Sequence, residues 1–258
     1  MQNKYVGDIG DFGKSCLLRT LQGGDLQLAI VWYLNVNDEQ NSDGNLTKYP
    51  LNENLKFTDP LQQELRGKLQ TLINNGERTV QAVRKSEIFP QNTVFQNTVF
   101  IEEPVPSKDC VLKLREEKRD EWCRRSSEQV EKSDSDLVFL DPDNGLACTT
   151  TSNRRITGAK YVFPDELEAF CQHGKSVILY QRPHLSAKHE DQINDHLREV
   201  KTITGRECYC TRFRRQQARF YFIFPANTGA NKMLRSRLDK FLDGSWGSDS
   251  WFDTTLYE

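Results

Sequence analysis

The sequence predicts an α/β fold: a doubly wound, mostly parallel sheet with a C-terminal antiparallel hairpin. Short apolar runs that suit strands alternate with longer segments of helical apolar spacing, as in parallel strands joined by helical crossovers. The run over 28–34 is almost continuously apolar, which is expected of a strand covered on both faces. The last two strand segments, 207–213 and 220–224, are separated by a short polar joint and predict the hairpin.

Each element follows from its own residue pattern. Apolar residues spaced three or four apart predict helices over 14–21, 61–73, 111–132, 165–171, 188–200 and 231–242. Apolar and β-branched runs predict strands over 28–34, 78–83, 98–101, 137–140, 176–180, 207–213 and 220–224. We expect a single Rossmann-like domain over 1–243 and a C-terminal tail over 244–258.

Composition and hydropathy predict a soluble, cytoplasmic protein. The chain has 258 residues, of which 36% are hydrophobic, and its mean hydropathy is −0.70. It contains no apolar run long enough to cross a bilayer, and its first residues lack the apolar core of a secretory signal. The seven cysteines lie in ordinary helix and strand patterns, which predicts reduced thiols.

The charge balance excludes a nucleic-acid-binding protein of the globally basic kind. Lysine and arginine number 35 against 37 acidic residues, which gives a net charge of −2 at pH 7. A contact with nucleic acid therefore has to come from a local patch. The candidate patch consists of the arginines Arg154, Arg155, Arg212, Arg214, Arg215 and Arg219, which would either bind phosphate or form an ordinary surface cluster.

The opening segment 7–15 reads GDIGDFGKS and ends like the phosphate loop of nucleotide hydrolases. On that interpretation the protein is an NTPase, although Asp8 replaces the loop's first glycine and Asp11 adds a carboxylate where phosphates would bind. In the other interpretation, a compact turn before the first helix takes positive φ values at Gly7, Gly10 and Gly13. Because a plain turn does not need Asp8, Asp11 and Lys14 together, we expect these side chains to belong to a site.

The motif Asp141-Pro142-Asp143-Asn144 directly follows the predicted strand 137–140. Ligands of doubly wound sheets bind beyond the carboxyl ends of the strands, so these four residues and Lys14 are predicted to be catalytic. Carboxylate oxygens also bind magnesium or manganese, which gives an alternative: a metal-dependent phosphoester hydrolase or nuclease with the ion on Asp141 and Asp143. Asp-Asn-Gly is also the composition of a plain β-turn.

The Asp-Pro motif resembles that of class I S-adenosylmethionine-dependent methyltransferases acting on exocyclic amines, in which the fourth strand ends in [DNS]-P-P-[YFW]. The opening resembles that of the bacterial large-subunit rRNA adenine methyltransferases, and Asp11, Lys14, Asp141 and Pro142 match in position and type. The chain is also similar to a group of bacterial proteins of unassigned function with a GDxGDxGK-like opening and DPDNG. At positions 143 and 144 it has Asp and Asn in place of the second proline and the stacking aromatic.

The resemblance implies a methyltransferase-like fold with S-adenosylmethionine as cofactor. It implies that Asp141 and Asn144 bind the target amine and that Lys14 and Asp11 position the substrate. The predicted cofactor-binding residues are Asp8, Asp11, Asn35 and Asp38. We therefore expect a diverged methyltransferase-like enzyme acting on nucleic acid or a nucleotide. The alternatives are the metal-dependent hydrolase, the phosphate-loop NTPase and a non-catalytic nucleic-acid-binding module of a larger assembly.

Overall fold

The computed structural model describes residues 2–35, 44–49, 57–90 and 98–258. The strands in these ranges are β1 Leu28–Val31, β2 Thr98–Ile101, β3 Leu137–Leu140, β4 Gly145–Leu146, β5 Tyr161–Val162, β6 Ser176–Gln181, β7 Tyr209–Phe213 and β8 Arg219–Phe224. The helices are α1 Ile9–Gln22, α2 Pro60–Asn74, α3 Val80–Lys85, α4 Arg115–Lys132, α5 Pro164–Cys171, α6 His189–Thr204, α7 Thr228–Asp243 and α8 Ser245–Ser248.

Six of these strands form one sheet in the order β2-β1-β3-β6-β8-β7. The first four are parallel neighbours, whereas β8 is antiparallel to both β6 and β7. The prediction of an α/β protein with a mostly parallel sheet and a final antiparallel hairpin is therefore confirmed. Strand order reverses at β1, since the chain adds β2 on one side of it and β3 on the other.

Helices cover both faces of the sheet, which explains the continuous apolar runs. In β1, Leu28 and Ile30 pack into a core formed with α1, α2 and α7, whereas Ala29 and Val31 pack into a second core formed with α4, α5 and α6. All four residues are fully buried. Alternate side chains of a strand point to opposite faces, so a strand with a core on each side needs apolar residues at every position.

The predicted strand over 78–83 is wrong, because this segment contains helix α3. Thr79 is the N-cap of α3, and its side chain accepts a hydrogen bond from the backbone N–H of Ala82 at 3.1 Å. A threonine hydroxyl in this position satisfies one of the free N–H groups at the start of a helix. Local capping therefore outweighs the strand preference of the Thr-Val pair.

The C-terminal segment 244–258 packs back onto the sheet beside α1. Trp246, Trp251 and Phe252 are all buried, and both tryptophan rings contact the ring of Phe12. The backbone of Tyr257 exchanges two hydrogen bonds, of 2.8 and 3.0 Å, with Cys210 on the edge strand β7. The segment thus covers an edge that would otherwise expose unpaired backbone groups.

All seven cysteines are free thiols, as the sequence predicts. Within the described ranges, no helix combines the length and apolar character that crossing a bilayer requires.

Two helical glycines offer a matched test of this packing. An added Cβ at Gly13 in α1 would lie 2.3 Å from the Phe213 ring, whereas one at Gly67 in α2 would meet nothing within 4 Å. We expect Gly67→Ala to raise the free energy of unfolding by about 0.5–1 kcal/mol through helix propensity. Gly13→Ala should lower it by about 1–3 kcal/mol through overpacking. Urea denaturation measures both, and a gain in both variants would contradict the close approach of Phe213 to α1.

Candidate active site

The N-terminus of α1 is built from two aspartates that cap it. Asp8 is the N-cap residue, and its Oδ1 accepts a hydrogen bond from the N–H of Asp11 at 2.7 Å. Asp11 in turn accepts one from the N–H of Gly7 at 2.9 Å through Oδ2. Carboxylates at this position satisfy free backbone donors and interact favourably with the helix dipole. The helix therefore begins at Ile9, five residues earlier than predicted.

The phosphate-loop interpretation is wrong for this segment. A 3₁₀ turn, Asn3–Tyr5, precedes α1 where a phosphate loop needs a strand, and Lys14 lies inside the helix rather than at its start. Of the three glycines, Gly7 has a positive φ of 75°, whereas Gly10 and Gly13 are helical. Gly10 and Gly13 instead let other side chains approach the helix closely: a Cβ at Gly10 would lie 1.8 Å from the guanidinium carbon of Arg219.

Lys14 joins this helix to the end of the third strand. Its Nζ lies 2.7 Å from Oδ1 of Asp11 and donates a hydrogen bond of 2.9 Å to Oδ2 of Asp141. The backbone N–H of Asp141 bonds to Val31 O at 2.9 Å, so the residue sits at the carboxyl ends of β1 and β3 together. Lys14 Nζ is also 5.1 Å from the centre of the Trp32 ring. The structure thus brings the opening motif and the Asp-Pro motif into one site, as predicted.

The remaining predicted residues divide between the site and its surroundings. Pro142 and Asp143 line the cleft beside Asp141, and Asp143 Oδ2 accepts a hydrogen bond from Gln2 Nε2 at 2.6 Å. Asn144 is not among the described residues that line it; its N–H donates to Lys160 O, and its carbonyl accepts from the N–H of Arg182, which is a lining residue. Asn35 is buried after β1 and is also not among the described lining residues. Asp38 lies outside the described residues.

The cleft lies at the carboxyl edge of the parallel strands and is narrow, with an interior of about 40 Å³. That volume holds a few water-sized groups. Besides the predicted site residues it is lined by Arg219, which was predicted for the arginine patch, and by side chains that sequence reasoning missed: Tyr5, Tyr180, Arg182, Gln217 and Tyr221. Tyr180 ends the strand 176–180 and could have been found by the strand-end rule. Arg219 and Tyr221 begin β8, and only the antiparallel direction of β8 brings its start to this edge.

Two of the buried carboxylates at this edge, Asp8 and Asp141, have raised pKa values. Burial raises the pKa of Asp141 above its ordinary value, although Lys14 opposes the shift. Burial also raises the pKa of Asp8, against the nearby guanidinium of Arg219. For Lys14 the order is reversed: burial lowers its pKa, but Asp11 and Asp141 outweigh burial and keep the ammonium charged. The site therefore holds the charged ammonium of Lys14 beside Asp141, a carboxylate whose pKa is raised by burial.

Two arginines of the predicted patch, Arg212 and Arg219, form ion pairs with carboxylates of the protein. Arg219 turns into the cleft, where its Nη2 lies 3.3 Å from Asp8 Oδ2. Arg212 pairs with Asp253 at 2.6 Å and with Glu190 at 2.9 Å. These two arginines therefore neutralise carboxylates of the protein itself.

The part of the chain that the structure describes contains no ligand set for a metal ion. No group of three or more histidine, cysteine, aspartate or glutamate side chains is placed there to bind an ion. At Asp141 the ammonium of Lys14 occupies the position next to Oδ2. The described residues therefore give no ligand set that supports the metal-dependent alternative, in which Asp141 and Asp143 hold the ion.

The fold and the site define an α/β protein with a charged cleft at the carboxyl ends of its parallel strands. No protein-family model matches the chain, and no curated protein sequence matches it significantly. The resemblance to methyltransferases accordingly stays a prediction.

Replacing Lys14 tests the charge pairing. In Lys14→Met, Asp11 and Asp141 keep their burial but lose their shared cation, and we expect a loss of about 3–5 kcal/mol in the free energy of unfolding at pH 7. Burial already raises the pKa of Asp141, and losing Lys14 raises it further. The folded variant then binds a proton that the unfolded chain does not hold, so its stability rises from pH 7 toward about pH 5.

Urea denaturation at both pH values measures this effect, with Lys132→Met as the control. Lys132 has a side chain that is 75% exposed, so its replacement should change stability by less than about 0.5 kcal/mol. A loss in Lys14→Met that is equal at pH 7 and pH 5 would show that the buried carboxylates do not depend on this cation.

Proposed function

We propose that this protein is a diverged methyltransferase-like enzyme that acts on an amino group of a nucleic acid or nucleotide. The observation that carries the proposal is the contact between Lys14 and Asp141 at the carboxyl end of β3, inside a cleft also lined by Pro142. Support comes as well from the sheet, whose parallel strands are followed by an antiparallel hairpin as in the resembled family.

The Asp141 carboxylate suits an amine on chemical grounds. A carboxylate only accepts hydrogen bonds, so it selects a group that donates them, and an exocyclic amine has two N–H bonds. Lys14 already donates to Oδ2, and in this proposal the substrate amine would donate to the same carboxylate. When an amine gains a substituent its nitrogen loses a proton, and a carboxylate whose pKa is raised by burial is suited to hold that proton. Asp141 thus both orients the amine and receives its proton.

Asp8 and Asp11 act on this scheme as positioning residues. Both oxygens of Asp8 are used, one by the N–H of Asp11 and one by Arg219. Both oxygens of Asp11 are also used, by the N–H of Gly7 and by Lys14. These contacts fix the start of α1 and so the position of the Lys14 ammonium. Each carboxylate oxygen of Asp8 and Asp11 therefore already has a partner within the protein.

The predicted binding of S-adenosylmethionine takes no support from the described residues. Asp8 and Asp11 already have partners on both carboxylate oxygens, Asn35 is not among the described lining residues, and Asp38 lies outside the described residues. S-adenosylmethionine is therefore part of the proposal through the sequence resemblance alone. The contacts of Asp141 support only the binding of the amine. The donor has to be tested directly.

Methyl transfer from labelled S-adenosylmethionine to RNA, DNA and mononucleotides tests the proposal. We expect transfer by the wild-type protein and a loss of at least about 100-fold in Asp141→Asn, which keeps the shape of the side chain but not its charge. Asp136→Asn is the matched control, since Asp136 is exposed at the opposite end of β3 and should keep activity within about twofold.

Calorimetry with S-adenosylmethionine and with RNA distinguishes the possible negative results of the transfer assay. Transfer by the wild type that survives in Asp141→Asn would remove the proposed role of Asp141. A wild-type protein that binds RNA but neither binds the donor nor transfers methyl groups would be a non-catalytic binding module instead.

A further inference from the structure

Charge is distributed unevenly between the interior of the cleft and its border. The interior is lined by four aspartates: Asp8, Asp11, Asp141 and Asp143. Two loops at the same edge of the sheet, 182–188 and 214–218, read RPHLSAK and RRQQA. They contain four lysine or arginine residues and no aspartate or glutamate, and we name them together the rim. In a chain with a net charge of −2, such a local collection of cations indicates a surface for a polyanion.

Strand pairing holds the two loops of the rim side by side at the cleft. β6 ends at Gln181, which pairs with Phe220 near the start of the antiparallel strand β8. The first loop therefore leaves β6 at the point where the second loop enters β8. Arg182 of the first loop and Gln217 of the second both line the cleft. The ring of His189, directly after the first loop, lies 5.5 Å from the Phe220 ring and fixes this loop against β8.

Arg215 is the cation of the rim that is held most firmly. Its guanidinium lies over the Trp251 ring, 4.9 Å from the ring centre, and its Nη2 donates a hydrogen bond to the backbone carbonyl of Asp249. Its Nε has no hydrogen-bond partner among the described residues. An arginine held by a ring and a carbonyl keeps its full charge, a fixed direction and free N–H donors, which suits it to bind phosphate.

Lys188 and Arg214 add charge that a ligand can use. The Lys188 side chain is exposed and forms no hydrogen bond or ion pair within the described ranges. Arg214 Nε lies 3.4 Å from Oδ1 of Asp253, whose other oxygen already binds Arg212 at 2.6 Å. The Arg214 side chain is 52% exposed, so this ion pair is weak and a phosphate can replace it.

A strand of nucleic acid fits both parts of this charge distribution. A free nucleotide carries its charged phosphate close to its base, and the acidic interior of the cleft repels that phosphate. A strand instead has its phosphates spaced along a backbone that can lie on the rim outside the cleft. The separation of cations from carboxylates therefore favours a polymer over a mononucleotide.

We infer that the rim binds the phosphate backbone of a nucleic-acid strand through Lys188, Arg214 and Arg215, and that the substrate is a polynucleotide rather than a free nucleotide. This inference rests on the proposed function for the amino group that enters the cleft. The contact between the rim and the backbone needs no methyl donor, so it can be measured on its own.

Binding of a labelled single-stranded RNA of about 12 nucleotides to the full chain, measured by fluorescence anisotropy, tests the rim. Each phosphate contact of a single strand contributes about −0.7 to the slope of log K against log salt. Three contacts therefore give a slope of about −2 between about 50 and 200 mM salt. The variant with Lys188→Gln, Arg214→Gln and Arg215→Gln should bind at least about tenfold more weakly at 50 mM, with a slope near zero. AMP at the same nucleotide concentration should not displace the RNA.

The control variant carries Arg124→Gln, Lys132→Gln and Lys201→Gln, which change the net charge by the same amount. These side chains are 61%, 75% and 61% exposed on α4 and α6, outside the rim and the described cleft lining. The control should bind RNA within about twofold of the wild type. An equal loss in both triple variants, a wild type that does not bind RNA, or polyglutamate that displaces RNA as well as unlabelled RNA does would each overturn the inference.

Lys188→Gln alone keeps the test independent of folding. Because the Lys188 side chain contacts no described residue through a hydrogen bond or ion pair, its replacement should leave the melting temperature unchanged. We expect the salt slope of this single variant to become less steep by about 0.7. A slope equal to that of the wild type would remove Lys188 from the surface that binds the strand.

The failure of this inference can be distinguished from the failure of the proposed function. RNA binding that depends on the rim, without methyl transfer, would keep the rim and remove the methyltransferase. Methyl transfer to RNA that is unaffected in the rim variant, or transfer to mononucleotides as efficient as transfer to RNA, would keep the enzyme and remove the rim.

Discussion

The ammonium of Lys14, buried between the carboxylates of Asp11 and Asp141, connects the first helix to the centre of the sheet. Removing three charges from water is costly, and the cost is offset only when each charge keeps a close partner in good geometry. The start of α1 therefore has to lie against the carboxyl end of β3. Asp8 adds to this constraint, because its second oxygen needs Arg219, and Arg219 reaches it only over the bare backbone of Gly10.

The central sheet was predictable because its signals are local. The run 137–140 is fully buried and pairs in register with β1 and β6, as a continuous apolar segment between two cores must. The strand-end rule placed Asp141 at the carboxyl edge of the sheet, whereas Lys14 lies on α1 and reaches that edge only through the packing of this helix. The segment 78–83 was mistaken because a single capping side chain, Thr79, decides between strand and helix there.

Other parts of the site depend on contacts that no local pattern reports. Gln2 bonds to Asp143 across 141 positions of the chain, and Arg219 reaches Asp8 across 211. Gly10 and Gly13 suggested a loop, although both lie in helix α1. Glycine is needed at these two positions because Arg219 and Phe213 pack closely against the helix there, and the sequence does not show this contact. Tyr221 was missed for a different reason: its strand runs against the others, so its beginning, not its end, lies at the edge where the cleft is.

The same charges that suggested a phosphate loop argue against a phosphate inside the cleft. The charged residues of its lining are four aspartates, one lysine and two arginines, so a bare phosphate would add negative charge to a wall that already carries an excess of it. Lys14 and Arg219 are both drawn to carboxylates of the protein. A neutral group that donates hydrogen bonds meets no such repulsion. The charges of the lining are therefore more compatible with the amino group of the proposed function than with a phosphate at Asp141.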